Sequence, residues 1–157
     1  MKNKNGLSLE IENDIIKIES IYSSEKNTKN IAVPLLEYSV SAGFPSSAEN
    51  YLEKTLDLNE LLISHPAATF FVRVSGNSMK GAGINSHDIL IVDRALSPSN
   101  NKIIIARIND EFTVKRIKIE NEKLFLMPDN EQYEPMEITT EMDFEVWGVV
   151  RYVIHQL

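Results

Sequence analysis

From Thr69 onward the apolar residues come as short runs rich in β-branched and aromatic side chains, each closed by small or polar residues. Such runs suit the pleated, half-buried surface of a sheet, so they restrict the chain to a mainly β fold. The spacing predicts strands at Thr69–Val74, Asp88–Asp93, Ile103–Ile108, Glu111–Ile119, Lys123–Met127 and Phe144–Ile154. Asn109-Asp110 reads as a two-residue hairpin connection, and Glu120-Asn121-Glu122 as a second tight turn. The last run, with Trp147, Val149, Val150, Tyr152 and Ile154, is long and apolar, as a core strand would be. No internal repeat is present.

The chain ahead of this region is less regular. Leu7, Leu9 and Ile11 alternate as in a short strand, Ile15, Ile18 and Ile21 hint at helical spacing, and Ser23–Asn27 reads as solvated linker. Residues 1 to about 31 are thus either an arm that orders when packed on something or a disordered tail. The next segment, Ile31–Pro45, is bracketed by Pro34 and Pro45, and a residue before proline is turned away from helix. It reads as extended. Two short helices are expected after it. Ser46 with Glu49 forms a capping box opening Ser47 to about Lys54; Asp57 with Glu60 opens another, carrying Leu58, Leu61 and Leu62 and ended by Pro66.

The net charge of −7, with basic residues scattered apart from Lys115, Arg116 and Lys118, argues against a protein whose main affinity is for nucleic acid. No helix-turn-helix pattern is found, so sequence-specific DNA contact would fall to a partner. No run approaches the ~18 apolar residues that span a membrane, and the N-terminus does not read as a secretory signal. There are no cysteines, which excludes disulfides and thiolate chemistry and suits a reducing cytoplasm. The 157 residues are enough for one domain plus an appendage.

Chemistry points to the end of the first strong strand. The run Thr69–Val72 stops at Ser75-Gly76-Asn77-Ser78, placing a small polar residue after a stiff strand with a glycine beside it. A serine needs a base to act as a nucleophile, and Lys115 is the candidate. A lysine titrates near 10.4, so work at neutral pH requires a fall of roughly 3 pH units, about 4 kcal/mol, which burial supplies. Alternation puts Lys115 on one face with Thr113, Ile117 and Ile119, and Arg116 on the other with Lys118 and Glu120. Phe112 and Val114 share the Arg116 face, so that assignment is incomplete. A Ser-His-Asp triad using His65, His87 or His155 is the competing arrangement, although no Gly-x-Ser-x-Gly elbow occurs. The histidines lack metal-ligand spacing, and no metal or cofactor is expected.

Five stretches carry a resemblance: Ala42-Gly43-Phe44-Pro45-Ser46-Ser47, Asp57 to Pro66, Ser75 to Met79, Asp88 to Asp93, and Glu111 to Lys115. In this order they resemble the self-cleaving Ser-Lys peptidase family of the LexA repressor and the UmuD mutagenesis protein, UmuD most closely, from roughly residue 32 to the C-terminus. The resemblance implies a LexA/UmuD-type twisted β-sheet fold with one or two short helices and an extended N-terminal arm. It implies Ser78 as nucleophile, Lys115 as general base, backbone support for the oxyanion at Asn77 and Ser78, and cleavage between Ala42 and Gly43. The chain would then divide into a removable arm, 1–42, and a peptidase-like β domain, 43–157. The implied partners are a second copy, the RecA–single-stranded-DNA filament and a UmuC-like Y-family polymerase subunit, with no membrane. Alternatives are a repressor relative without its DNA-binding domain and a signal-peptidase-like protease, which would need a membrane anchor. His87 stands where relatives often have glycine, so a departure at that turn is expected.

Overall fold

The computed structural model describes residues 17–23, 32–36 and 53–157. Their strands are β1 (Lys17–Ser23), β2 (Ala32–Leu36), β3 (Glu53–Asp57), β4 (Thr69–Ser75), β5 (Ile89–Asp93), β6 (Ile103–Ile108), β7 (Glu111–Glu120), β8 (Lys123–Met127), β9 (Met136–Ile138) and β10 (Phe144–Ile154). One α-helical turn, α1 (Leu58–Leu62), follows β3, and single 3-10 turns lie at Pro66–Ala68 and Lys80–Ala82. The chain divides into two units, one of residues 25–64 and one of residues 1–24 with 65–157.

In the smaller unit β2 and β3 form an antiparallel pair running from Ala32 opposite Asp57 to Leu36 opposite Glu53. The helix begins as its sequence requires: Asp57 is the N-cap, its carboxylate accepting the Asn59 N–H at 2.7 Å. It ends at Ile63, before Pro66. The other expected helix is corrected at its end, since Glu53 and Lys54 lie in β3. Its start at Ser46 and Ser47 lies outside the described residues, as do Ala42, Gly43 and the alternating Leu7, Leu9 and Ile11.

The larger unit is an eight-stranded sheet in the order β1-β4-β5-β10-β6-β7-β8-β9, antiparallel throughout. The expected mainly β fold is what the chain adopts. Strand β10 joins its two halves: Phe144 to Val149 pair with β6, and Val149 to Ile154 pair with β5. Register shifts between Val146 and Gly148 and between Val150 and Tyr152 bend it, as bulges do. Gly148 permits the bend, because a Cβ there would stand 2.6 Å from a Val92 methyl.

This curl gives the sheet apolar contacts on both faces. One buried cluster gathers Val72, Val74, Met79, Ile84, Leu90, Val92, Ile105 and Val114; the other gathers Ile104, Ala106, Ile117, Leu126 and Val149. Burial of each of these side chains other than Ala106 is worth about 1.5–3 kcal/mol. The division explains why alternation along β7 was incomplete: Val114 and Ile117 point to opposite faces and both are buried. Trp147 sits against the first cluster with Phe70 and Phe112, and the Arg94 guanidinium lies 4.8 Å over its ring.

Both hairpin turns are as expected. Asn109 and Asp110 have φ 46 and 68, and Asn121 and Glu122 have φ 51 and 61, the paired left-handed residues of a two-residue hairpin turn. Besides β3, two further strands were not expected. Ile18 and Ile21, spaced as in a helix, instead lie in β1, where pairing with β4 overrides the spacing. Strand β9 is only three residues long, too brief to show an alternation.

Candidate active site

Strand β4 delivers its last residue, Ser75, into a loop pinned from several sides. Val74 exchanges backbone bonds with the 85–88 turn: its N–H donates to the Asp88 carbonyl (3.1 Å) and its carbonyl accepts the His87 N–H (2.6 Å). Gly76 takes φ 99, a conformation open to glycine, and donates its N–H to Ser86 Oγ. The chain then turns tightly, the Lys80 N–H reaching the Asn77 carbonyl at 3.1 Å, and Met79 plugs the first apolar cluster at 0% exposure. Ser78 lies between these anchors, itself 0% exposed.

Lys115 comes from the middle of β7, opposite Ile104 of β6. Its Nζ lies 3.1 Å from Ser78 Oγ, 2.8 Å from Thr113 Oγ1 and 3.0 Å from the Val114 carbonyl. The structure therefore brings together two residues that the sequence separates by 37 positions. Thr113 shares the Lys115 face, as alternation along the strand requires. Burial lowers the Lys115 amine from its ordinary 10.5 to about 8, so roughly a tenth of it is neutral at pH 7.

A neutral amine has two N–H groups and one lone pair. The Val114 carbonyl can only accept, and Thr113 Oγ1 can accept the other N–H. That leaves the lone pair for the Ser78 hydroxyl. The three contacts match the hydrogen-bonding capacity of a general base awaiting a proton.

The adjacent Arg116 has a different environment. It forks onto Asp129, with Nη2 2.6 Å from Oδ2 and Nε 3.1 and 3.2 Å from the two oxygens, and donates from Nη1 to the Asn101 carbonyl. Asp129 in turn accepts the Gly81 N–H on its backbone carbonyl at 2.6 Å, and Asn130 Nδ2 donates to the Asn77 carbonyl at 2.9 Å. Sequence reading gave Asp129 and Asn130 no role. Their only signal was two polar residues after Pro128, common in any loop.

The histidines of the triad alternative sit against carboxylates: His65 Nδ1 is 2.6 Å from Asp93, His155 Nδ1 is 2.7 Å from Asp88, and His87 Nδ1 is 3.3 Å from Glu19. His87 takes φ 73, the left-handed region that glycine enters freely. Among the described residues no group of three or more acidic, histidine or cysteine side chains could hold a metal ion. Nor is any helix among them long and apolar enough to cross a membrane.

A mainly β unit with a buried serine hydroxyl on a lysine amine can be compared with known proteins. Residues 34–151 match the Peptidase S24-like family. The chain belongs to that family. Among its relatives, Protein MucA of Salmonella typhimurium is 39% identical over 133 residues, covering 84% of this chain and 90% of that protein. Protein ImpA of Escherichia coli is 46% identical over 123 residues, covering 78% and 83%. The LexA repressor of Hahella chejuensis is 38% identical over 125 residues, but these cover only 62% of the repressor. The match to LexA thus leaves more than a third of the repressor uncovered, whereas the similarity to MucA and ImpA runs through most of their length. The expected kinship with the UmuD-like members holds.

Proposed function

We propose that this chain is a UmuD-type SOS mutagenesis protein that cuts itself between Ala42 and Gly43, with Ser78 as nucleophile and Lys115 as general base. The observation that carries the reading is the 3.1 Å contact between Lys115 Nζ and Ser78 Oγ, made by an amine that burial has already pushed towards neutrality. Neutral Lys115 takes the Ser78 hydroxyl proton as Oγ bonds to the Ala42 carbonyl carbon. Backbone N–H groups at Asn77 and Ser78 stabilise the negative charge that develops on the carbonyl oxygen. As the carbon–nitrogen bond to Gly43 breaks, the protonated lysine returns the proton to the leaving amine. Water then attacks the Ala42 acyl ester, Lys115 again taking its proton, and Ser78 is regenerated.

Cleavage removes residues 1–42. The trimmed chain, 43–157, pairs with a second copy and serves a UmuC-like Y-family polymerase as accessory subunit in the cytoplasm. The RecA–single-stranded-DNA filament stimulates the cut by favouring a conformation that brings the scissile peptide to Ser78. The similarity to MucA and ImpA along most of their length supports this over a repressor role.

The test is incubation of the full chain with activated RecA filament, and separately in mild alkali, with masses followed over time. The parent should yield fragments ending at Ala42 and beginning at Gly43, while Ser78→Ala and Lys115→Ala stay whole. A processed Ser78→Ala or Lys115→Ala chain would refute the assigned roles.

A further inference from the structure

The nucleophile loop is tied to the strand carrying Lys115 by a short clip that lies far from both in sequence. Arg116, next to Lys115, grips the Asp129 carboxylate through its fork; the Asp129 carbonyl holds Gly81, and the Asn130 side chain holds Asn77. Gly81 is essential to the close approach, since a Cβ there would stand 2.5 Å from the Asp129 carbonyl oxygen. The two contacts flank Ser78, one on each side.

The orientation of the Asn130 amide is set by two independent partners. The Asn77 carbonyl can only accept, so it faces Nδ2 at 2.9 Å; the Gln132 N–H can only donate, so it faces Oδ1 at 3.0 Å. The Asn77 carbonyl also accepts the Lys80 N–H, so it is held by its own turn and by a residue 53 positions away. A peptide group is planar, and in its trans form the carbonyl and the following N–H point in opposite directions. To hold the Asn77 carbonyl is therefore to aim the Ser78 N–H and to fix where the Ser78 side chain starts.

We propose that Asn130 is a positioning residue for self-cleavage: its side-chain N–H locks the Asn77–Ser78 peptide so that Ser78 Oγ and the Ser78 N–H meet the scissile carbonyl together. This rests on Ser78 being the nucleophile. Asn130 touches no reacting atom and acts through the peptide it holds.

Two variants separate this role from loop stability. Asn130→Asp keeps an oxygen for the Gln132 N–H and loses the donor to Asn77; Asn130→Ala loses both. Self-cleavage of the full chain is followed by mass from neutral to alkaline pH, with a melting curve for each protein. Removing an oxyanion donor outright slows a serine peptidase by 10²–10³-fold, so misaiming one should lower the high-pH plateau about tenfold or more in both variants. The Asp variant should melt close to the parent. An added charge alone would raise the alkaline midpoint and leave the plateau; that result overturns the proposal, as does a plateau within about twofold of the parent in the Asp variant. If Asn130→Ala melts early, the Asp variant carries the comparison below its own melting temperature. A parent chain that stays as intact as Ser78→Ala sinks the proposed function itself, a different failure from a parent that cuts and an Asp variant that cuts equally well.

Discussion

Lys115 and Arg116 are consecutive on β7, yet the two faces of that strand treat their charges in opposite ways. Arg116 meets a carboxylate and a carbonyl, with every contact suited to a permanent cation. Lys115 meets two hydroxyls and a carbonyl, and burial drives it down to about 8. One face of the strand stabilises positive charge and the other works against it. The lesson is that a lysine is brought towards neutrality through what its surroundings withhold, a counter-charge, as much as through what they supply.

The most severe way to break this contrast is to remove the amine. Lys115→Met should reduce self-cleavage by about 10³-fold or more, since a nucleophile and its base act as one unit. Fragment mass over time reads it, and a loss below about tenfold would mean that another group takes the proton. Next in size is pH. Below the amine's midpoint only the neutral fraction works, so the rate should rise about tenfold per pH unit and level off above about pH 8. A rate already flat between pH 6 and 8 would assign the base elsewhere.

Thr113→Val sharpens the comparison further. It removes an acceptor that favours the charged amine, so the midpoint should move below 8 while the plateau falls about tenfold as the lone pair loses its aim. On the opposite face, Arg116→Met should leave the midpoint near 8 but destabilise the fold by about 1–3 kcal/mol, because it strands the partly buried Asp129. Thermal melting and the cleavage profile together separate these two outcomes.

The last effect is a linkage, spread over a pH window rather than seen at one pH. The folded state holds Lys115 near 8 and the unfolded state near 10.5, so between those values the unfolded chain binds more protons. Stability of the parent relative to Lys115→Met should therefore rise with pH across that window, by up to about 3 kcal/mol, and stay constant below it. Denaturant unfolding of both proteins at pH 7 and pH 10.5 measures it. A difference that shrinks with rising pH would reverse the claim that burial penalises the charge.

The same contrast shows how far sequence reasoning reaches. The turns at Asn109-Asp110 and Asn121-Glu122 were legible because two left-handed residues between apolar runs need only local chemistry. The Asp57 cap was legible for the same reason, as its contact spans two residues. Ser78 and Lys115 were singled out by a resemblance in motif order, and alternation alone put Thr113 on the Lys115 face. Strand β1 was not legible, because its pairing with β4 is a contact between distant segments.

Periodicity, turn residues and capping motifs thus determined by themselves that most of this chain would be sheet, where its main strands would run and which helix would start at Asp57. Only the tertiary structure decided that β10 bends at Gly148, that Lys115 reaches Ser78, and that Asp129 and Asn130 clip the two together. The reason is range. Local signals act through bonds a few residues long, whereas desolvating an amine and aiming a peptide need atoms from segments that share no proximity until the sheet has closed.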